Sequence, residues 1–228
     1  MTNTPRQQVR PAWRIAVALA CLSTAVHAQT IERFDLTTVG TDPRWKVAGR
    51  TSSVVEIKGK RALKIDEAPG SGVVWLDGYD FKNGVIEADV LGRSQPVQGS
   101  FVGLVFRLAD SLTYDAVYFR PFNFRATDST RHAHAVQYIS HPAWTWQRLR
   151  TERPGAYEKS IVPEPDGDEW FHVRVVVARP KVSVYVDDRA QPSLVVDELS
   201  DRAGGSLGLW TGERSGGHFA NLRVTRTP

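Results

Sequence analysis

Residues 118–124 read Tyr-Phe-Arg-Pro-Phe-Asn-Phe, an arginine and an amide set among four aromatic rings. A strand that only filled a core would not carry Arg120, and a solvated loop would not carry the rings. Together they suit a polyhydroxylated ligand. A ring stacks on the C–H face of a pyranose, while planar guanidinium, amide and imidazole groups hydrogen-bond its hydroxyls. The same types recur on either side, and the candidate binding set is Arg107, Tyr118, Arg120, Asn123, Gln137, His141, Trp144, Trp146 and Arg148. Trp144 and Trp146 are two apart, so in an extended segment both rings would point the same way. The competing reading buries one or both at the end of the core. His141, just before Pro142, reads as a loop-structuring residue rather than a general base.

Other chemistries find no pattern. The sequence has no Ser-His-Asp order, no His-x-x-x-His zinc spacing, no Walker loop and no dinucleotide glycine fingerprint. His132 and His134, two apart in a polar segment, read as solvated rather than metal-binding. Asp166–Glu169 ("DGDE") could offer oxygens to calcium, but it fits a turn before a strand better. The expectation is therefore no cofactor, with calcium as the alternative.

The elements that must position these residues are strands. Short runs rich in β-branched and aromatic residues recur from Ile31 onward, eleven or more of them, many alternating at period two. Asn83-Gly84, Asp166-Gly167, Gly204-Gly205, Gly216-Gly217 and Arg179-Pro180 punctuate them as turns. No window carries the apolar stripe of a long helix, and no repeat or linker divides the chain. This predicts an all-β fold, a single two-sheet antiparallel jelly-roll sandwich over residues 29–228. Residues 126–131 and 149–169 read as irregular, the second long enough to carry function or border it. In "FVGLVFRL" Val102, Leu104, Phe106 and Leu108 form a core row, leaving Phe101, Gly103, Val105 and Arg107 opposite. Val117 and Phe119 oppose Tyr118 and Arg120 in the same way. An unpaired buried guanidinium costs several kcal/mol or more, so the arginine-bearing row reads as a solvated outer face or a groove floor.

Residues 1–28 read as a secretory signal: Arg6, Arg10 and Arg14, then the apolar run 15–26, then a small residue at Ala28. That run is too short to span a bilayer. The alternative is a lipid anchor at Cys21. Cleavage after Ala28 removes three arginines and no acid, taking the formal charge from +4 to +1, so charge gives a nucleic-acid partner no support. It also removes the only cysteine, leaving a chain stabilised by its core alone. The expected location is periplasmic or extracellular, with a carbohydrate or glycoside ligand, no membrane span, and an oligomeric state the sequence leaves open.

In order and spacing, "FKNGVIEADV", "GSFVGLVFRLADSLTYDAVYFRPFNF", "EWFHVRVVVARPKVSVYVDD" and "GGSLGLWTGERSGGHFANLRV" resemble the laminin-G-like and concanavalin A-like lectin/glucanase sandwiches. The likeness is greatest to secreted 3-keto-disaccharide hydrolase-type domains. It spans roughly residues 31–226. It implies a curved jelly roll whose concave face binds carbohydrate, with Trp210 and Phe219 filling the sandwich and Asn221 bonding backbone. It does not fix an activity, since this fold hosts lectins, glucanases, lyases and adhesion modules. Glucanases of this kind carry three acids on one strand. Here only Glu87 and Asp89 share a face, and they read as a solvated strand face rather than the carboxylate pair that hydrolysis needs. Three functions stay open: a carbohydrate-recognition domain, a glycoside or keto-glycoside hydrolase using Asp115, Asp128, Glu152 or Glu158, and an envelope adhesion module.

Overall fold

The computed structural model describes residues 1–2 and 30–227. The signal reading of residues 1–28 and the Cys21 alternative fall on residues 3–29, outside those described. Among the described residues, no helix is long and apolar enough to cross a membrane.

Among the described residues fifteen strands form. They are β1 (Ile31–Arg33), β2 (Trp45–Ala48), β3 (Ser52–Ile57), β4 (Lys60–Ile65), β5 (Gly72–Leu76), β6 (Gly84–Leu91), β7 (Val102–Asp110) and β8 (Thr113–Phe119). After them come β9 (Val136–His141), β10 (Glu158–Lys159), β11 (Phe171–Ala178), β12 (Lys181–Val186), β13 (Leu194–Asp197), β14 (Ser206–Thr211) and β15 (Gly217–Arg226). Two short helices, α1 (Ser129–His132) and α2 (Trp146–Glu152), flank β9 and β10. An eight-stranded sheet runs β13-β12-β11-β6-β15-β4-β3, with β1 also on β15. A seven-stranded sheet runs β10-β9-β8-β7-β14-β5-β2. Pairing is antiparallel throughout, as the alternating patterns require.

The core lies between the sheets. Val102, Leu104 and Phe106 of β7 and Val117 and Phe119 of β8 are buried, as are Phe171, Val173 and Val175 of β11. Phe119 meets Phe171 edge-on at 5.3 Å across the interface. Each such side chain contributes about 1.5–3 kcal/mol by leaving water.

The irregular regions differ from expectation. Residues 126–131 end in α1, and residues 149–169 begin inside α2 and contribute β10 to the sheet edge. α2 forms because Thr145 caps it, its hydroxyl accepting the Arg148 amide at 3.3 Å. It ends at Arg153, before Pro154 and Gly155. Seven residues are too few to show an apolar stripe.

Candidate functional site

The outer face of the seven-stranded sheet is built by alternation. With Val117 and Phe119 turned inward, Tyr114, Ala116 and Tyr118 of β8 point away from the core. Gln137, Ile139 and His141 of β9 and Glu158 of β10 share that side. Trp210 of β14 joins them, paired with Gly103. The expectation that Trp210 fills the sandwich is therefore corrected: its ring lies 4.9 Å from Tyr118, and its Nε1 donates to the Tyr114 hydroxyl at 2.9 Å. Phe219 does lie in the core.

At one end of this face sits a polar knot. Arg120 lies over the Tyr118 and Phe101 rings, 4.7 and 5.8 Å from their centres. It donates to the Tyr118 hydroxyl, to Gln137 Oε1 and to the His134 carbonyl. Gln137 Oε1 also accepts the Tyr118 hydroxyl proton at 2.7 Å. Opposite Gln137, the buried Glu158 carboxylate accepts from Arg150 Nε and Nη2 at about 3.0 Å and lies 3.7 Å from Arg120. His134 Nδ1 is 2.8 Å from Glu158 but out of line for a hydrogen bond. Burial pushes the His134 pKa down, only partly offset by Glu158, so the ring is neutral at pH 7.

Around the knot lie the rings that reach solvent. Trp146, at the start of α2, is 41% exposed and stacks against Arg150, 4.9 Å from its guanidinium. Trp144 is gripped by Arg148 at 4.1 Å and Arg153 at 4.4 Å. The two tryptophans thus part company, because Thr145 starts a helix where extended chain was expected. Arg148 also pairs with Glu152 four residues on. His141 stacks flat on Tyr114 at 5.0 Å, and burial lowers its pKa. Asn123 lies in the turn after β8, where its side chain accepts from Arg131 and donates to the His134 carbonyl.

Two expectations about the arginine row fail. Arg120 is neither solvated nor on an open floor but 4% exposed, tolerated because every buried charge here has a partner. Arg107 leaves the row altogether. Its φ of +49° marks a bulge in β7, and its fully buried guanidinium holds Glu198 at 2.7 Å and the Ala203 carbonyl. It shares no partner with Arg120. Of the residues singled out from sequence, Tyr118, Arg120, Gln137 and His141 gather on one sheet face, and Trp144, Trp146 and Arg148 lie in the segment beside it. Glu158, one of the four acids named as hydrolase candidates, lies among them, and Arg150, His134 and Trp210 complete the cluster. The signal that could have chosen Glu158 over the other three acids is charge balance: a buried Arg120 demands a buried acid.

The remaining acids are placed elsewhere. Asp115 faces the core, bound by Tyr138, Ser200 and Arg202. Asp128 caps α1. Glu158 is the one carboxylate that the described strands carry on this face. On the opposite sheet, Glu87 and Asp89 are not freely solvated as expected. His172 lies between them, 2.7 Å from Asp89 and 3.3 Å from Glu87. Arg223 grips Glu87, and Lys60 and Asn221 donate to Asp89. Asn221 therefore bonds a carboxylate, not backbone. Burial opposes ionisation of Asp89, but its hydrogen bonds from His172, Lys60 and Asn221 outweigh that and hold its pKa well below the usual range. In the Asp166–Glu169 turn, Asp166 caps its own backbone and pairs with Arg125, Asp168 binds Ser94 and Glu169 binds Lys58. Among the described residues, no cluster of three or more His, Cys, Asp or Glu side chains could hold a metal.

No family model matches the chain, and no curated protein matches it significantly. Solved structures do. A carbohydrate binding module, CBM66 of Bacillus subtilis, aligns at 14% identity and TM-score 0.55, over 79% of this chain and 95% of its own. The kappa-carrageenase of Pseudoalteromonas carrageenovora, in complex with a kappa-carrageenan oligotetrasaccharide, aligns at 15% identity and TM-score 0.56, over 91% and 99%. The β-glucanase of Bacillus licheniformis aligns at 12% identity and TM-score 0.53, over 89% and 100%. At these identities the likeness shows the fold. The chain is a concanavalin A-like sandwich, two antiparallel sheets packed face to face.

Proposed function

We propose that this is an exported protein that binds a saccharide on the outer face of its seven-stranded sheet, at the end formed by Tyr118, Arg120, Gln137, Glu158 and α2. One observation carries the reading. A single sheet face joins planar hydrogen-bonding groups, fixed by one another, to indole rings at their border, of which Trp146, stacked on Arg150, stays exposed. The carbohydrate-binding and carbohydrate-cleaving proteins that share the fold support it as analogy.

Binding without cleavage is favoured over hydrolysis because Glu158 stands alone among the described strand residues of this face. The common glycosidase mechanism uses two carboxyl groups flanking the bond. Hydrolysis of a glycoside or 3-keto-glycoside, with Glu158 as its acid or base, is the second reading, favoured by Glu158 lying within the knot. Titration of the purified protein against a glycan panel, with product analysis of each incubation, tests both. Retention of intact oligosaccharide supports binding alone, release of shorter sugars lost in Glu158→Gln supports hydrolysis, and no interaction with any saccharide overturns both.

A further inference from the structure

We infer that the saccharide received at this face is acidic, bearing a carboxylate or sulfate that docks beside Gln137 among Arg120 and Arg150. The inference rests on the binding reading above and deepens it. Its ground is the imbalance between donors and acceptors in the knot. Each side-chain oxygen already accepts at least one bond: Gln137 Oε1 from Tyr118 and Arg120, the Tyr118 oxygen from Arg120, and both Glu158 oxygens from Arg150. A nitrogen of the neutral His134 ring and spare Glu158 lone pairs are what remain. Donors are left over. Gln137 is fully buried, yet its Nε2 has no partner among the described residues. The amide cannot be turned to cure this, since its oxygen is fixed by two donors. Arg120 Nε and Arg150 Nη1 also make no hydrogen bond among the described residues, though unlike Gln137 Nε2 they are not buried unpartnered atoms.

Charge points the same way. Two guanidiniums face one carboxylate, and the neighbouring His134 is neutral, which leaves a net positive centre. A buried donor without an acceptor costs about 1–3 kcal/mol. A neutral sugar hydroxyl could satisfy the Gln137 amide but would leave the excess positive charge uncompensated. An anionic oxygen brings lone pairs only, and charge-assisted bonds from guanidinium are the stronger kind. Carboxylate and sulfate share this chemistry, and the ligand panel separates them.

The test is isothermal titration of the purified protein with matched oligosaccharides: uronate-bearing, sulfated, and the neutral counterpart of each. At least one acidic series is expected to bind about tenfold or more tightly than its neutral match, the gap narrowing as salt rises. Gln137→Glu keeps the side-chain shape and can still accept from Tyr118 and Arg120, but sets a like charge where the anion would dock. It should weaken acidic ligands about tenfold or more while changing neutral ones little. Arg150→Gln should act in the same direction, and rescue by Arg150→Lys would be partial. Neutral sugars binding as well as acidic ones, or Gln137→Glu weakening both equally, would overturn this inference and leave saccharide binding standing. Failure of every sugar to bind would remove both.

Discussion

Trp210 and Tyr118 lie 4.9 Å apart, ring centre to ring centre, although a whole strand runs between them. Neighbouring strands are about 4.8 Å apart, so side chains two strands away ordinarily sit at twice that distance. The residue between them is Gly103, paired with Trp210 on one side and with Tyr118 on the other. Without a side chain there, the two rings lean together over β7. A Cβ at Gly103 would also come within 2.2 Å of the Val117 carbonyl oxygen and 2.6 Å of the Tyr118 Cα, backbone atoms that cannot swing aside. Gly103→Ala should therefore cost about 1–3 kcal/mol, as overpacking does. Chemical denaturation checks this, and an unchanged midpoint would refute the close approach.

The Arg107–Glu198 pair should behave as buried ion pairs do. Both side chains are essentially inaccessible. Arg107→Met leaves the Glu198 carboxylate without its nearest partner and should destabilise by about 3–5 kcal/mol. Adding Glu198→Gln to that variant should restore part of the loss, because the stranded charge is gone. Denaturant midpoints of the two single variants and the double variant measure the coupling.

These two relationships mark where the sequence is legible. Period-two alternation assigns Phe119 inward and Tyr118 and Arg120 outward, and the sheets obey it, so the sandwich follows from local pattern. Alternation fails at Arg107 because a bulge turns one residue aside, and nothing local announces a bulge at a non-glycine position. It fails again at Trp144 and Trp146, where a helix of two turns is set by the Thr145 cap. Glu158 is legible only as one of four candidate acids, not as the one that completes the knot. It reaches the knot by pairing β10 to the sheet edge, a long-range contact that its own polar neighbourhood does not encode. Trp210 read as core through the family resemblance alone. It is buried, but on the other side of the sheet.

The Asp89–His172–Glu87 cluster predicts a pH profile. Hydrogen bonding to Asp89 raises the His172 pKa above 6.5, against the opposing effect of burial. That stabilisation is complete below pH 6.5 and is lost as pH climbs through the raised value. Asp89 is shifted the other way, below 3.8, so its share is present above pH 3.8 and disappears as pH falls through the lowered value. The melting-temperature difference between wild type and His172→Gln should therefore be greatest between about pH 4 and 6.5 and shrink on either side. Arg223, Lys60 and Asn221 remain to hold the carboxylates in the variant, so the protein should stay folded across that window. A difference that grew above pH 8 would contradict the arrangement.

Trp146 offers the sharpest separation of binding from stability. It is the large aromatic side chain on α2, 41% exposed, and its visible tie to the fold is the stacked Arg150 guanidinium. An exposed cation–π contact is worth about 0.5–1 kcal/mol, so Trp146→Ala should move the denaturation midpoint little. If the ring is the platform on which a sugar lies, the same change should weaken saccharide binding about tenfold, the scale of one lost aromatic contact. Trp144 supplies the contrast. It is packed against the core cluster and held by Arg148 and Arg153, so Trp144→Ala should lower stability first. Titration and thermal melting of both variants, side by side, distinguish the platform from the packing residue. Loss of stability without loss of binding in Trp146→Ala would move the ligand off α2.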